Sequence, residues 1–253
     1  MDLIDSSDRR IALVRPSNMR ELGGLAAGTG RQVRAASVYR AGGLHRLEPA
    51  DIDTMARLGI GTLVDLRTFG ELDSHGRPSA QLASERHHLP MIPDIWDLRP
   101  LNEGETFDDY FSERYDEMLA HGREAISVTL GLLSDPDRLP LCYFCAAGKD
   151  RTGVMTAVLL RLLEVDDDAI VADYVLSGAE VATLVQRMGD REQWTSERMA
   201  GGAPRLLAAP AGVMRRFLTR LPAGAELASQ FGMSDGDLSA LRGQLLVPAT
   251  KRG

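Results

Sequence analysis

The sequence predicts an α/β fold: a mostly parallel central sheet flanked by helices, with a helical insertion after the helix that follows a tight small-residue loop. Three observations predict it. Thr62-Leu63-Val64-Asp65-Leu66-Arg67 is a continuous run of the kind buried on both faces of a parallel sheet. Leu139 to Phe144 is a second such run, and Val154 to Leu163 behind it is too long and too apolar for anything but a buried helix. Helical periodicity occupies much of the remaining chain, as layers of helix on sheet require. The 253 residues, 44% hydrophobic and 26% charged, suffice for a large core, and we expect one domain over 1–253 with residues 178–211 as the insertion.

Taken in order, Arg15 to Gly24 is polar and turns at paired glycines, and Asn18 and Arg20 there have either a structural role near the active site or the plain one of turn chemistry and surface charge. A helix is expected over 49–58, where Pro49 stands in the first turn, Ile52, Met55 and Leu58 repeat at helical spacing, and Gly59 closes it. The strand over 62–67 ends where open α/β sheets place ligands, so Asp65 and Arg67 either face a cleft or form a buried ion pair. Arg86 to Met91 reads as a strand with Pro90 at the sheet rim; its adjacent histidines, His87 and His88, point to opposite faces and do not converge on one ion. The Pro- and Asp-rich loop over 92–106, with Asp94 and Asp97, has the composition of a plain surface loop; the family resemblance given below would instead make one of these aspartates a movable acid.

Phe107, Tyr110, Phe111, Tyr115 and Met118 stripe a helix over 107–120, and such a stripe reads as core. Another helix runs over 123–133 and closes at Ser134-Asp135-Pro136. Beyond the buried helix, 166–177 is helical; 178–211 mixes charged helical stretches with Gly201-Gly202-Ala203-Pro204 and reads as helices added over the active site, either a lid or a packed appendage; helices follow over 215–221 and 234–246. Ser234 with Asp237 three residues on opens the last of these.

The chain is organised around Cys145-Ala146-Ala147-Gly148-Lys149-Asp150-Arg151-Thr152-Gly153, between the strand and the buried helix. Small residues let consecutive N–H groups turn inward around a tetrahedral anion, and a helix N-terminus favours negative charge there. A thiol in such a place ionises readily. The planar fork of an arginine grips two phosphate oxygens where a lysine offers only a point charge. These features imply attack of Cys145 on phosphorus, a phosphocysteine, and its release by water, with no metal or cofactor.

Other classes are disfavoured. A formal net charge of -7 argues against a nucleic-acid or anionic-membrane surface, and Arg161 interrupts the most apolar helix, so no membrane span is expected. Asp2 and Asp5 stand where a signal peptide needs basic residues, which implies a cytoplasmic location. Two cysteines make no disulfide scaffold, and no Cys/His cluster has zinc spacing. Cys142, three residues before Cys145 on a strand, faces the opposite side as core; a lesser role is to trap an oxidised Cys145 after rearrangement.

The motif resembles the cysteine-dependent phosphatases with the Cys-x5-Arg signature, most closely atypical bacterial tyrosine and lipid phosphatases whose loop reads His-Cys-x-x-Gly-Lys-Asp-Arg-Thr-Gly. Cys145 and Gly148 to Gly153 fit; Phe144 stands where the family has histidine. Asn18 to Gly24, Val38 to Ala41, Val64 to Arg67 and Asp173 to Ser177 are similar to further family segments, so the resemblance spans about 17–246. It implies a dual-specificity-like fold and hydrolysis of a phosphate monoester. Cys145 is then the nucleophile, Arg151 the clamp, and Asp150, or next Asp65, the general acid. Ala146, Ala147, Gly148, Lys149, Thr152 and Arg67 bind substrate, and Lys149 either selects acidic substrates or is solvated at the loop mouth. The substrate is a phosphoprotein, a phosphoinositide or a phosphorylated metabolite. Two other readings remain: sulfur transfer, since Asp65-Leu66-Arg67 also suits rhodaneses, and a weakly catalytic phosphate-binding module, since Phe144 supplies neither charge nor hydrogen bond beside the thiol.

Overall fold

The computed structural model describes residues 4–5, 9–15, 18–96, 99–188 and 208–249. Short strands come first: β1 (Ile4–Asp5), β2 (Arg10–Ile11), β3 (Arg20–Glu21), β4 (Ala26–Ala27) and β5 (Arg31–Val33), then the longer β6 (Val38–Gly42). Next α1 (Pro49–Arg57), β7 (Thr62–Asp65), α2 (Phe69–His75) and β8 (Glu85–His88) alternate. Two helices, α3 (Phe107–His121) and α4 (Arg123–Ser134), lead to β9 (Leu141–Cys145). Helices α5 (Asp150–Leu162), α6 (Asp167–Met188), α7 (Ala211–Arg220), α8 (Gly224–Gln230) and α9 (Asp235–Leu245) follow, and β10 (Leu246–Pro248) ends the described chain.

Seven strands form one sheet in the order β1-β2-β3-β6-β9-β7-β8. Its centre is the expected parallel array, β6 on β9, β9 on β7 and β7 on β8, while β1 to β3 extend it antiparallel. A separate antiparallel ribbon joins β10, β5 and β4. β9 is buried at every position. Leu141, Tyr143 and Cys145 face an apolar layer to which α5 and the surrounding helices contribute, whereas Cys142 and Phe144 face the opposite layer with Tyr39, Met55 and Leu63. Burial on both faces is why β9 reads as an unbroken apolar run rather than an alternating one.

Departures from the expected boundaries have local causes. β7 stops at Asp65, two residues before Arg67, because the Asp65 carboxylate accepts from the Arg67 backbone N–H at 3.1 Å and turns the chain. There the unforeseen α2 begins, opened by a capping box in which the Thr68 hydroxyl accepts from Glu71 N–H and Glu71 accepts from Thr68 N–H. Helix α6 continues to Met188, so the stretch from Gly178 starts as an extension of α6. The rest of the expected insertion, including Gly201 to Pro204, lies mostly outside the described residues, as does Asp97. No helix among the described residues is long and apolar enough to cross a membrane.

Candidate active site

Strand β9 carries Cys145 to the C-terminal edge of the sheet and α5 begins five residues later at Asp150. The loop between them lies directly on the end of β6. Gly148 has φ +65°, and a Cβ there would come within 2.6 Å of the Ala41 carbonyl oxygen; one on Gly42 would meet the Ala147 carbonyl carbon at 2.4 Å. Neither position accepts a side chain, so the two glycines set how closely loop and sheet approach.

The loop carbonyls are tied back. Asn18 Nδ2 donates to Ala147 O at 3.1 Å and Gly148 O at 2.8 Å, and Arg40 Nη2 donates to Gly148 O at 2.8 Å. In a trans peptide the N–H points opposite its carbonyl, so holding these two oxygens turns the N–H groups of Gly148 and Lys149 away from Asn18 and Arg40. Asn18 does this from a left-handed conformation, φ +49°, that asparagine tolerates better than most residues.

Beneath the loop three arginines converge on one carboxylate. Asp173 of α6 accepts from Arg20 Nε at 3.0 Å, from Arg40 Nη1 at 2.7 Å and from Arg9. Burial alone would raise the Asp173 pKa, but Arg20, Arg40 and Arg9 hold it well below the usual carboxylate range. Burial, with Arg20 beside it, lowers the Arg40 pKa to about 10. Three cations against one anion leave this group net positive next to the loop whose carbonyls Arg40 and Asn18 hold. Arg20 also donates to the Asn18 side-chain oxygen at 2.5 Å, which fixes the amide that holds the loop.

Arg151, in the first turn of α5, is buried and bound at both terminal nitrogens by Glu71 of α2, one contact measuring 2.9 Å. Burial raises the Glu71 pKa, yet the Arg151 hydrogen bonds and charge outweigh it and bring it down to about 2. Burial lowers the Arg151 pKa, and the charges of Cys145 and Glu71 reverse that, so the guanidinium stays charged. Asp150 Oδ1 accepts from the Tyr115 hydroxyl at 2.6 Å and lies 3.5 Å from Lys149 Nζ, while 31% of the side chain remains exposed.

The candidates read from the sequence fall into two groups. Cys145, Ala146, Ala147, Gly148, Lys149, Asp150, Arg151 and Thr152 form the loop by contiguity. Lys149 is not solvated: it is buried, with Nζ donating to Ala208 O at 3.0 Å. Thr152 is buried, and its hydroxyl has no hydrogen-bond partner among the described residues. Asp65 and Arg67 form the second group, paired at 2.6 Å at the end of β7, with Arg67 also donating to Gly76 O at 3.0 Å. That commits the Asp65 carboxylate to Arg67, whose guanidinium lies 5.4 Å from the centre of the Phe144 ring. Asp94 is exposed. His87 turns to Glu85 at 2.7 Å and His88 to Arg67 O at 2.8 Å, on separate faces as adjacent strand residues must be.

Sequence reasoning missed Glu71, Arg40, Asp173 and the Tyr115 hydroxyl as parts of the site. The capping-box pattern Thr68-x-x-Glu71 was available to locate α2, but nothing local announces that Glu71 reaches Arg151 eighty residues away. Comparison with known proteins adds that residues 11–247 match the model of a tyrosine phosphatase family. The chain is 32% identical over 196 residues to a protein of Cupriavidus necator assigned as a tyrosine-protein phosphatase, covering 73% of this chain and 66% of that one. It is 29% identical over 196 residues to the triple specificity protein phosphatase PtpB of Mycobacterium tuberculosis, covering 66% of this chain and 70% of the relative. Among solved structures, the core catalytic domain of a PP-IP phosphatase from S. cerevisiae superposes with a TM-score of 0.39 at 14% identity, over 75% of this chain and 94% of that domain.

Proposed function

The chain belongs to the tyrosine phosphatase family, and from that premise we propose that it hydrolyses a phosphate monoester through a phosphocysteine on Cys145. The observation that carries this is the anchoring of the Ala147 and Gly148 carbonyls by Asn18 and Arg40, which turns the N–H groups of the same peptides the other way in a loop bounded by Cys145 and Arg151. Such donors are set before the phosphoryl group arrives and face its equatorial oxygens, where charge spreads during transfer. Nothing in plain anion binding calls for a thiol at that point.

In this mechanism the Cys145 thiolate attacks phosphorus while Arg151 holds two oxygens. As the ester P–O bond breaks, its electron pair passes to the leaving oxygen, which takes a proton from Asp150. Asp150 then takes a proton from the water that attacks phosphorus, the P–S bond breaks and the thiolate returns. The Thr152 hydroxyl, buried one residue after Arg151 and without a hydrogen-bond partner among the described residues, donates to sulfur or to phosphate in this mechanism. Asp65, locked to Arg67, serves to shape the neighbouring strand end rather than to carry the proton.

The alternative of a weakly catalytic phosphate-binding module loses its main support, because Phe144 faces the layer opposite Cys145. The substrate is a phosphorylated molecule, and a thiol nucleophile suits the reducing cytoplasm. The test is turnover of 4-nitrophenyl phosphate with and without orthovanadate, with Cys145→Ser as control, followed by a screen of phosphotyrosine peptides, phosphoinositides and phosphorylated metabolites. Turnover that survives Cys145→Ser sinks the covalent mechanism.

A further inference from the structure

We infer that Tyr115, backed by Tyr174, is a positioning residue for the proton transfer: its hydroxyl fixes Oδ1 of Asp150 as an acceptor and leaves Oδ2 to carry the proton to the leaving oxygen. This rests on Asp150 being the acid proposed above. The aromatic stripe of α3 explains the Tyr115 ring, which is fully buried and packs edge-on against Tyr174 and Phe217 with centroids 6.2 and 5.8 Å away. It does not explain the hydroxyl. A phenylalanine fills the same apolar space, whereas a buried phenol has to find partners.

The partners form a directed chain. Tyr115 donates to Asp150 Oδ1 at 2.6 Å and its oxygen lies 2.7 Å from the Tyr174 oxygen. A phenol has one proton to give, and Tyr115 gives it to Asp150, so Tyr174 is the donor to Tyr115. Burial pushes both phenol pKa values up, so neither loses its proton under working conditions. Tyr174 is in turn seated against the catalytic helix: a Cβ on Gly153 would come within 3.2 Å of its ring. The neighbouring Asp173 anchors the arginines under the loop. One segment of α6 thus steadies both the cradle and the proton donor.

An oxygen of a carboxylate and the carbonyl oxygen of a carboxylic acid both accept hydrogen bonds, so Tyr115 holds Oδ1 in either protonation state. The labile proton is then confined to Oδ2. When it moves to the ester oxygen, the departing electron pair of the P–O bond receives it and Asp150 is left as a carboxylate still held by Tyr115. In the second half-reaction Oδ2 recovers a proton from the attacking water. Lys149 lies 3.5 Å from Oδ1 of Asp150, and Arg151 takes the next position of the helix. Both attract the carboxylate, and without Tyr115 the side chain is free to turn toward them.

The experiment compares kcat/KM for an alkyl phosphate and for 4-nitrophenyl phosphate in Tyr115→Phe, Asp150→Asn and the double variant. Tyr115→Phe should lose roughly tenfold on the alkyl ester, the scale of one charge-assisted hydrogen bond, and less than about twofold on the aryl ester, whose leaving group barely needs a proton. In the Asp150→Asn background the same substitution should change neither ratio. Tyr174→Phe, which removes only the outer donor, should give a smaller loss in the same sense and stands in if Tyr115→Phe does not fold. Orthovanadate inhibition should stay within about twofold of wild type in all folded single tyrosine variants, since the cradle is untouched. Equal losses on both esters, or a Tyr115→Phe loss that persists in Asp150→Asn, would overturn the inference. If Asp150→Asn itself spares the alkyl ester, it is the assignment of Asp150 as the acid that falls.

Discussion

Glu71 binds both terminal nitrogens of Arg151, so the side chain expected to grip phosphate is already flat against a carboxylate and aimed by it. Glu71 is 4% exposed and Arg151 8%, which makes this a buried pair and not a surface bridge. Removing one member of such a pair costs about 3–5 kcal/mol because a charge is left unpaired. We therefore expect Glu71→Gln to unfold at lower temperature and to lose on the order of a hundredfold in kcat/KM for an aryl phosphate as Arg151 loses its alignment. Orthovanadate should restore more stability to the variant than to wild type, since the anion supplies the missing partner. Equal stabilisation of both by orthovanadate would show that Glu71 does not hold Arg151 for the anion.

The same pair sets a pH dependence. The Glu71 pKa in the folded protein, about 2, lies below its ordinary value, so the unfolded chain takes up this proton first as pH falls. The pair's stabilisation is complete above about pH 4.3 and disappears on approach to pH 2. Urea midpoints measured from pH 5 to 2.5 should fall more steeply for wild type than for Glu71→Gln. Parallel curves would remove Glu71 from the acid response.

How much of this was legible depended on how far apart in the chain the partners lie. The loop from Cys145 to Gly153 carries the proposed nucleophile, cradle and clamp in one contiguous motif, and the buried runs of β7 and β9 announced a parallel sheet. The two-residue strands β1 to β4 are too short to show a period of two, so the antiparallel extension and the small ribbon stayed hidden. Arg20 and Asp173 belong to segments that resembled the family, yet only folding shows that they meet across 153 positions. Tyr115 was read as core, correctly for its ring; periodicity reports where a side chain is buried and not what its polar end touches.

Asn18 offers a test of the cradle itself. Its amide donates to two loop carbonyls, a job that a carboxylate of the same shape cannot do. Asn18→Asp would also set a negative charge against those oxygens and beside the bound anion. We expect at least a tenfold weakening of orthovanadate inhibition, since each buried hydrogen bond contributes about 1 kcal/mol and lost donors leave carbonyls unsatisfied. Unchanged inhibition would mean that the loop holds its shape without Asn18.

His45 provides a second, independent pH response. Burial, then Arg67, Arg46 and His75 around it, lowers its pKa to about 3, and its ring nitrogens have no hydrogen-bond partner among the described residues. A folded-state value below the ordinary one of about 6.5 means that the unfolded chain binds the proton first, so stability is complete above pH 6.5 and declines as pH falls toward 3. The drop in urea midpoint between pH 7 and 4.5 should therefore be smaller in His45→Asn than in wild type. A drop of the same size in both would show that His45 is not the group being titrated.

Phe144 is the position where the motif departs from its family, and adjacency in sequence suggested that a histidine there would assist Cys145. The strand geometry argues otherwise. Phe144 and Cys145 are consecutive on β9 and so face opposite layers, Phe144 among Tyr39, Met55 and Leu63, Cys145 toward α5. What Phe144 does meet is the Arg67 guanidinium, 5.4 Å from its ring centre. Phe144→His exchanges that cation–π contact for an imidazole whose charged form the same arginine disfavours, in a fully buried place with few partners. The expected result is a fall of a few degrees in Tm, as a loss of about 1 kcal/mol implies at this chain length, with kcat/KM for 4-nitrophenyl phosphate within about twofold of wild type at both pH 6 and pH 8. A clear gain in kcat/KM at pH 6 would show that the residue before the nucleophile acts on it through the backbone, and the separation of the two faces would no longer account for the family's histidine.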